Sequence, residues 1–183
     1  ISSLLGLQII NVSDEKAKEA LQDSQNRVQT MSRIHETLYR SDNLSAIDMK
    51  TYLSELGATI LQGYTNSGNV NLKVKAENIM IEVRQASSLG LIANELITNS
   101  IKYAFPDDRK GEIVLDLKSN EENEVELIVS DNGIGIPEGL DLEKTDSLGL
   151  KLVKNITENQ LNGSIEMESK NGTKFTIKFN IET

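Results

Sequence analysis

The chain contains no cysteine and only one histidine among its 183 residues. Without cysteine, disulfide bonds, thiolate metal sites and cysteine nucleophiles are excluded. A single histidine cannot build a multi-histidine metal site. No run of about 18 apolar residues is present, so the sequence predicts no membrane-spanning segment. Aromatic residues make up only 4% of the chain, so aliphatic side chains must form most of the core.

Acidic residues outnumber basic ones, and the formal net charge is -9. A nucleic acid would be repelled by this charge, so we expect no nucleic-acid partner. A nucleotide is not excluded, because a few local cations and backbone amides can hold it. The chain begins Ile-Ser-Ser-Leu-Leu, with neither an initiator methionine nor a signal peptide. We therefore expect a soluble piece excised from a cytoplasmic region, whether the parent protein is soluble or membrane-anchored.

Residues 1–43 predict a helical hairpin. Residues 1–10 are apolar and compatible with a helix, and Ser13 or Asp14 is placed to cap a second helix. From about 15 to 39 a heptad seam follows, formed by Leu21, Ser24, Val28, Met31, His35 and Leu38. Each helix has an apolar stripe that needs a partner, so we expect a homodimer with a four-helix bundle. The polar stretch at 41–45 marks the boundary to a second domain at 44–183.

Residues 44–183 predict an α+β domain. Helices are expected at about 48–62, 86–104 and 148–160, and strands at about 70–75, 79–83, 112–118, 124–130, 164–169 and 173–180. The last two strands form a hairpin turned at Asn171-Gly172. Helices and strands do not alternate regularly, which favours an α+β sandwich over a doubly wound sheet.

The long helix predicted at 86–104 has a polar stripe. Glu95, Asn99 and Lys102 fall on one face, opposite an apolar face. A carboxylate, a carboxamide and an ammonium in this order could orient a water, ligate Mg²⁺ and pair with phosphates. A solvated helix face with a weak ion-pair ladder has the same pattern, so the stripe alone leaves both interpretations open.

A glycine-containing loop, Ser130–Pro137, directly follows a predicted strand. Gly133 and Gly135 would let the backbone approach a ligand closely or adopt positive φ. Asp131, at the strand end, could accept a hydrogen bond from an exocyclic amine. The same residues are also ordinary turn chemistry. The loop is neither a P-loop nor a G-x-G-x-x-G turn.

Four segments, in order, resemble the nucleotide-binding boxes of the Bergerat-fold ATPases, a superfamily that includes gyrase, heat-shock chaperones, mismatch-repair ATPases and histidine kinases. Asn94–Tyr103 (NELITNSIKY) resembles the N box and Asp131–Gly135 (DNGIG) the G1 box. Ser147–Leu150 (SLGL) resembles a shortened G2 box, and Asn171–Thr173 (NGT) the last glycine-containing box. The resemblance covers residues 48–183 and implies a Bergerat-fold α/β sandwich with a mixed sheet that binds ATP and Mg²⁺.

The resemblance also implies a role for each matched residue. Asn99 would ligate Mg²⁺, Glu95 would act as a base or orient a water, and Lys102 would reach the phosphates. Asp131 would bind the adenine amine. The remaining residues would border the nucleotide: Tyr103, Gly133, Gly135, Ile136, Leu148, Gly149, Leu150 and Thr173. Residues 136–148 would form a lid that lacks the family's phenylalanine motif, and we interpret its carboxylates as solvated surface: Glu138, Asp141, Glu143 and Asp146.

The N-terminal residues and the segment Ile34–Tyr39 resemble histidine kinases with the second type of dimerisation and phosphoacceptor domain. The segments Ser147–Val153 and Leu161–Ser164 fit this subgroup too. Its acceptor histidine lies just before the segment that starts at Ile1, so we expect the acceptor outside this chain. His35 occupies a seam position with no helical hairpin after it, so we do not expect it to be phosphorylated.

The activity that the resemblance implies is that of a protein histidine kinase. The γ-phosphoryl group of ATP would pass in line to a histidine, with catalysis mostly by positioning and metal electrostatics, and then to an aspartate on a response-regulator receiver domain. Two alternatives are a Bergerat-fold ATPase that hydrolyses ATP and a non-catalytic dimerising module that binds it. The hydrolytic relatives need a transducer domain after the site, and the chain ends soon after the last hairpin. The presence of Glu95, Asn99, Lys102 and Asp131 argues against the non-catalytic module.

Overall fold

The computed structural model describes residues 2–39, 46–64, 69–107, 109–120, 122–136, 142, 145 and 147–181. The chain divides into two compact units, Ile1–Asp42 and Asn43–Thr183. The polar stretch at 41–45 and the boundary expected after residue 43 lie outside the described residues.

The first unit contains two helices, α1 (Ser2–Asn11) and α2 (Glu15–Tyr39). Asp14 caps α2, because its Oδ1 accepts a hydrogen bond of 2.8 Å from the backbone N–H of Ala17. The two helices are tied together by Gln25, whose Nε2 donates to the carbonyl of Ser2 at 2.9 Å. The predicted hairpin is therefore present.

The hairpin leaves apolar side chains exposed. No residue of α1 is buried, and three of its large apolar side chains are mostly exposed: Leu4, Leu7 and Ile10. Along the predicted seam of α2, Leu21, Ser24 and Val28 are half-buried and Met31 is exposed. The side chains of His35 and Leu38 lie outside the described part of the chain.

The second unit has three helices and seven strands among its described residues. The helices are α3 (Met49–Gly63), α4 (Val83–Asn99) and α5 (Leu148–Asn155), and α4 and α5 continue into π-helical turns at Ser100–Ala104 and Ile156–Gln160. The strands are β1 (Ile47–Asp48), β2 (Val70–Ala76), β3 (Met80–Ile81), β4 (Gly111–Ser119), β5 (Glu124–Asp131), β6 (Ser164–Ser169) and β7 (Thr173–Asn180).

Five strands form a mixed sheet in the order β2-β4-β5-β7-β6. β2 pairs with β4 in parallel, and the other neighbouring pairs are antiparallel. β1 and β3 form a separate antiparallel pair. The predicted α+β class with a mixed sheet is therefore confirmed.

One strand prediction was too long. The strand expected at 79–83 is limited to Met80–Ile81, because α4 begins at Val83 instead of residue 86. The backbone N–H of Ala86 donates to the carbonyl of Glu82 at 2.8 Å, which is already the first helical hydrogen bond.

The core lies between the sheet and the helices. Alternate residues of the central strands point into it, as the period of two predicts, and nine are buried: Ile113, Leu115, Leu117, Val125, Leu127, Val129, Phe175, Ile177 and Phe179. α4 packs against α3, α5 and β5. Because α4 is packed on all these elements, its C-terminal end lies beside the C-terminal end of β5, where Ser100 bonds to Asp131.

Candidate functional site

The polar stripe predicted on the long helix is buried at one of its three residues, Glu95. Glu95 is only 4% exposed and Asn94 only 7%, while Asn99 and Lys102 are half-buried. Removing a carboxylate from water costs free energy unless it is paired. The solvated interpretation left open by the sequence is therefore wrong for Glu95.

The end of α4 differs from the predicted uniform α-helix. Regular α-helical geometry ends at Asn99, and Ser100–Ala104 form a π-helical turn. The α-helical period thus still aligns Glu95 with Asn99, which are four residues apart, but does not extend to Lys102. π turns are rare and often occur at functional sites.

The π turn is attached to the loop that follows β5. The carbonyl of Ala104 accepts a hydrogen bond of 3.0 Å from the backbone N–H of Ile134. Gly133 is buried against Ala104, and a Cβ at this glycine would collide with the carbonyl oxygen and the Cβ of Ala104. The glycine expected beside a ligand therefore also has a packing function, which is to let the loop contact the turn.

Asp131, the last residue of β5, is the centre of the site. Its Oδ1 accepts hydrogen bonds from the backbone N–H groups of Gly133 at 3.0 Å and Thr173 at 3.2 Å. Its Oδ2 accepts a hydrogen bond of 2.8 Å from the hydroxyl of Ser100. The donors belong to the loop after β5, to β7 and to the π turn. A carboxylate offers about four lone-pair positions, so these donors leave a position on Oδ2.

The last hairpin approaches Asp131 through a second glycine. Gly172 has φ +115°, and a Cβ there would collide with the backbone of Asp131. Asn171, which precedes it in the turn, also has positive φ, at 55°. The Asn-Gly turn predicted from the sequence thus serves two purposes, because it closes the hairpin and places Thr173 beside Asp131.

Asn132 attaches the loop to the start of β4. Its Oδ1 accepts a hydrogen bond of 2.8 Å from the backbone N–H of Glu112, and its own N–H donates to the carbonyl of Glu112 at 3.2 Å. Arg109 Nη2 donates to the carbonyl of Asn132 at 3.3 Å. Sequence reasoning missed these contacts and did not identify Ser100 as a site residue. The position of Ser100 inside the N-box segment, next to Asn99, was the available signal.

α5 begins with a capped first turn. Ser147 caps it, with Oγ accepting a hydrogen bond of 3.5 Å from the backbone N–H of Leu150. Gly149 and Leu150 are buried, whereas Leu148 is 64% exposed. α5 packs against α4, the helix that carries Glu95 and Asn99.

The segment expected to form a lid is described only in part. Ile136 is half-buried, and its backbone N–H donates to Ser169 Oγ at 2.8 Å. Gly135, just before it, has φ +78°, which favours glycine. The four lid carboxylates lie outside the described residues: Glu138, Asp141, Glu143 and Asp146.

The described contacts thus join Ser100, Ala104, Asp131, Gly133 and Thr173 into one cluster. Asn99, Lys102 and Tyr103 adjoin Ser100 along the chain, and Tyr103 is 61% exposed. Within the described ranges, no group of three or more acidic or histidine residues could hold a metal ion by itself. No helix of the described part is long and apolar enough to cross a membrane.

Two protein families match the chain. Residues 1–64 match HisKA_2, described as histidine kinase, and residues 84–183 match HATPase_c, described as histidine kinase-, DNA gyrase B- and HSP90-like ATPase. The sensor histidine kinase PdtaS of Mycobacterium tuberculosis is 28% identical over 185 residues, which cover 97% of this chain and 36% of that protein. Blue-light-activated histidine kinase 2 of Erythrobacter litoralis is 27% identical over 112 residues, 61% of this chain and 32% of that protein.

The fold has a solved counterpart. The blue-light-activated histidine kinase EL346 of Erythrobacter litoralis matches with a TM-score of 0.76 at 19% identity, covering 98% of this chain and 58% of that one. The chain spans about a third of the length of the curated relatives it matches. Since HATPase_c covers more than half of the chain, and HisKA_2 its N-terminal residues, the predicted resemblance is confirmed: the chain belongs to the histidine kinase-, DNA gyrase B- and HSP90-like ATPase family, on its histidine kinase branch.

Proposed function

We propose that this chain is the catalytic region of a sensor histidine kinase, which binds ATP with Mg²⁺ and transfers the γ-phosphoryl group to a histidine. The observation that carries the proposal is the hydrogen bonding of Asp131. Donors from three elements hold this carboxylate and leave a lone-pair position on Oδ2.

That remaining acceptor suits adenine. The 6-amino group of adenine is a hydrogen-bond donor, so it can complete the set of donors around Asp131. Guanine has a carbonyl oxygen at the same ring position, and two acceptors would then face each other. In this binding mode the nucleotide is bordered by Tyr103, Gly133, Gly135, Ile136, Leu148, Leu150 and Thr173.

The residues of α4 provide the phosphate end of the site. Mg²⁺ usually takes one or two protein oxygens and completes its shell with waters and substrate phosphates. Asn99 offers a carboxamide oxygen for one of these positions. When bound, Mg²⁺ neutralises charge on the phosphates. Lys102 reaches the phosphates, and the first turn of α5 at Gly149 presents backbone N–H groups to them.

Phosphoryl transfer needs little covalent chemistry from the protein. A histidine nitrogen attacks the γ-phosphorus in line and forms an N–P bond, while the bond to the β-phosphate oxygen breaks and ADP leaves. Glu95, buried one turn before Asn99, orients the acceptor imidazole or takes up its proton. In the proposed pathway the acceptor histidine lies outside this chain, and the phosphoryl group then passes to an aspartate of a response-regulator receiver domain.

A binding titration with Asp131→Asn tests the nucleotide site. Asparagine can keep the local hydrogen bonds, because its oxygen accepts from Gly133 and Thr173 while its NH₂ group donates to Ser100. It replaces the acceptor for the adenine amine with a donor. We expect ATP affinity, measured by calorimetry with Mg²⁺, to fall about 10-fold or more, the size of a lost hydrogen bond to a charged group.

Asp116→Asn is the matched control. Asp116 lies on β4 and is paired with Lys118 at 3.0 Å, away from the loop after β5, so its substitution should leave ATP affinity unchanged. Equal ATP affinities for the native chain and Asp131→Asn would contradict the proposed site.

The kinase and hydrolase alternatives are distinguished with γ-labelled ATP and a chain extended by the expected acceptor helix. Acid-labile, base-stable label on protein supports the kinase, and release of free phosphate without protein label supports the hydrolase.

A further inference from the structure

Ser100 forms a hydrogen bond unlike those of three other helical hydroxyls in the described chain. Ser24, Ser54 and Thr59 each donate to the backbone carbonyl four residues earlier, the usual bond of a hydroxyl inside a helix. Ser100 is 8% exposed and donates instead across 31 residues to Oδ2 of Asp131, at 2.8 Å. Its hydroxyl therefore connects the π turn to the site.

We infer that Ser100 is a positioning residue for recognition of the nucleotide base, acting by orienting the carboxylate of Asp131. This inference rests on the proposed function, because it assumes that the remaining acceptor position of Asp131 binds the 6-amino group of adenine.

The three donors divide unequally between the two oxygens of Asp131. The two backbone N–H groups, from Gly133 and Thr173, both donate to Oδ1. Rotation about the terminal torsion of an aspartate is soft, so bonds to one oxygen restrain the plane of the carboxylate only weakly. The hydroxyl of Ser100 holds the other oxygen. Together, the bonds to both oxygens fix the direction of the lone pair that remains on Oδ2.

The direction of this hydrogen bond is also fixed. A carboxylate can only accept, and a serine hydroxyl has one proton to donate. The proton of Ser100 therefore lies between the two side chains and does not compete for the base. The other two donors to Asp131 are backbone N–H groups, which every substitution except proline leaves in place. Ser100 is therefore the donor around Asp131 that a simple side-chain change can delete.

Ser100→Ala tests the inference when two nucleotides are compared. Affinities for ATP and for purine riboside triphosphate, which lacks the 6-amino group, are measured by calorimetry with Mg²⁺. We expect ATP affinity to fall about three- to tenfold, the size expected when one hydrogen bond is weakened rather than lost. The affinity for purine riboside triphosphate should not change, because that nucleotide does not use the oriented lone pair.

Ser88→Ala is the matched control. Ser88 is also a buried serine of α4, but its hydroxyl donates to Gln160 Oε1 at 3.0 Å, away from Asp131. It should leave the affinities for both nucleotides unchanged. Ser100→Cys supplies a second variant in case Ser100→Ala does not fold, because a thiol is a weaker donor of similar shape, and it should lower ATP affinity selectively in the same direction.

The outcomes separate the inference from the proposed function. An equal loss for both nucleotides in Ser100→Ala would show a merely structural role and overturn the inference. Unchanged ATP affinity in Ser100→Ala, with weakened binding in Asp131→Asn, would overturn the inference and leave the proposed function standing. Absence of ATP binding by the native chain would overturn both.

Discussion

At the scale of single residues, burial and hydrogen bonding decide what each polar group can do. Asp131 and Ser100 have defined partners, whereas the hydroxyl of Tyr52 is buried without a hydrogen-bond partner among the described residues. Tyr52 is 4% exposed, and burial raises the pKa of its hydroxyl. Packing of the Tyr52 ring therefore stabilises the fold, whereas burial of its unpaired hydroxyl costs free energy.

Tyr52→Phe tests this assignment. Phenylalanine keeps the ring and removes a buried, unpaired hydroxyl, so the free energy of unfolding at pH 7 should stay equal or rise by about 1–3 kcal/mol. The raised pKa means that the folded state disfavours the phenolate, so the native chain should lose stability as pH rises above about 10, the pKa of an unburied tyrosine. Urea denaturation at pH 7 and at alkaline pH measures both effects.

The Tyr52→Phe chain should lack the part of the loss of stability at alkaline pH that is due to the Tyr52 hydroxyl. Tyr103→Phe is the control, because Tyr103 is 61% exposed. A Tyr52→Phe chain that is more than about 1 kcal/mol less stable at pH 7 would show that the hydroxyl is satisfied after all.

At the scale of elements, the site depends on the contact between the π turn of α4 and the loop after β5. The backbone of Ile134 bonds to Ala104, and Gly133 leaves the room for this approach. The contact brings Asp131 close to Ser100 and sets the position of both sequence boxes. The geometry of the site therefore depends on the contact between the π turn and the loop, and not on either element alone.

Gly133→Ala should disrupt that contact. The added Cβ would meet backbone atoms of Ala104, which cannot move aside as a flexible side chain can. Overpacking of this kind costs about 1–3 kcal/mol, and we expect the free energy of unfolding in urea to fall by this amount. ATP affinity should fall as well, because the loop and the turn are pushed apart.

Gly63→Ala is the matched control for this glycine. It lies at the end of α3, and a Cβ there would meet no atom within 4 Å. Stability should stay unchanged or rise by up to about 1 kcal/mol, since alanine favours helix more than glycine does. If both substitutions had the same effect on stability, the close contact at Gly133 would not matter.

At the scale of the whole molecule, the two units differ in how completely they bury their apolar residues. The second unit has a continuous core between sheet and helices, whereas α1 has no buried residue. Leu4, Leu7 and Ile10 are between 60% and 79% exposed. Covering apolar surface of this kind with a second copy is favourable, which agrees with the homodimer expected from the sequence.

Sedimentation velocity, which reports the oligomeric state, tests for this dimer. We expect the native chain to sediment as a dimer, and the triple variant Leu4→Glu, Leu7→Glu and Ile10→Glu to sediment as a monomer, because charges at these positions resist burial. Met80→Glu is the control. Met80 is 53% exposed in the second unit, so its substitution should leave the sedimentation unchanged. A native chain that stays monomeric at high micromolar concentration would contradict the proposed dimer.

The fold class and most elements could be predicted from the sequence because they depend on local patterns. The period of two in Ile113–Leu117 and Val125–Val129 determines which face of each strand is buried, and the Asn171-Gly172 pair determines a tight turn. The order of polar residues in the N-box segment and in the loop after β5 determined the family. Each of these signals spans only a few neighbouring residues.

The arrangement of the site was decided only by the tertiary structure. The burial of Glu95, the π turn after Asn99 and the hydrogen bonds of Asp131 could not be read from any local period. Asp131 bonds to Ser100 and Thr173, which are 31 and 42 residues away. Such contacts depend on how α4, β5 and β7 pack around one core, and a local pattern carries no information about which distant group will satisfy a buried polar atom.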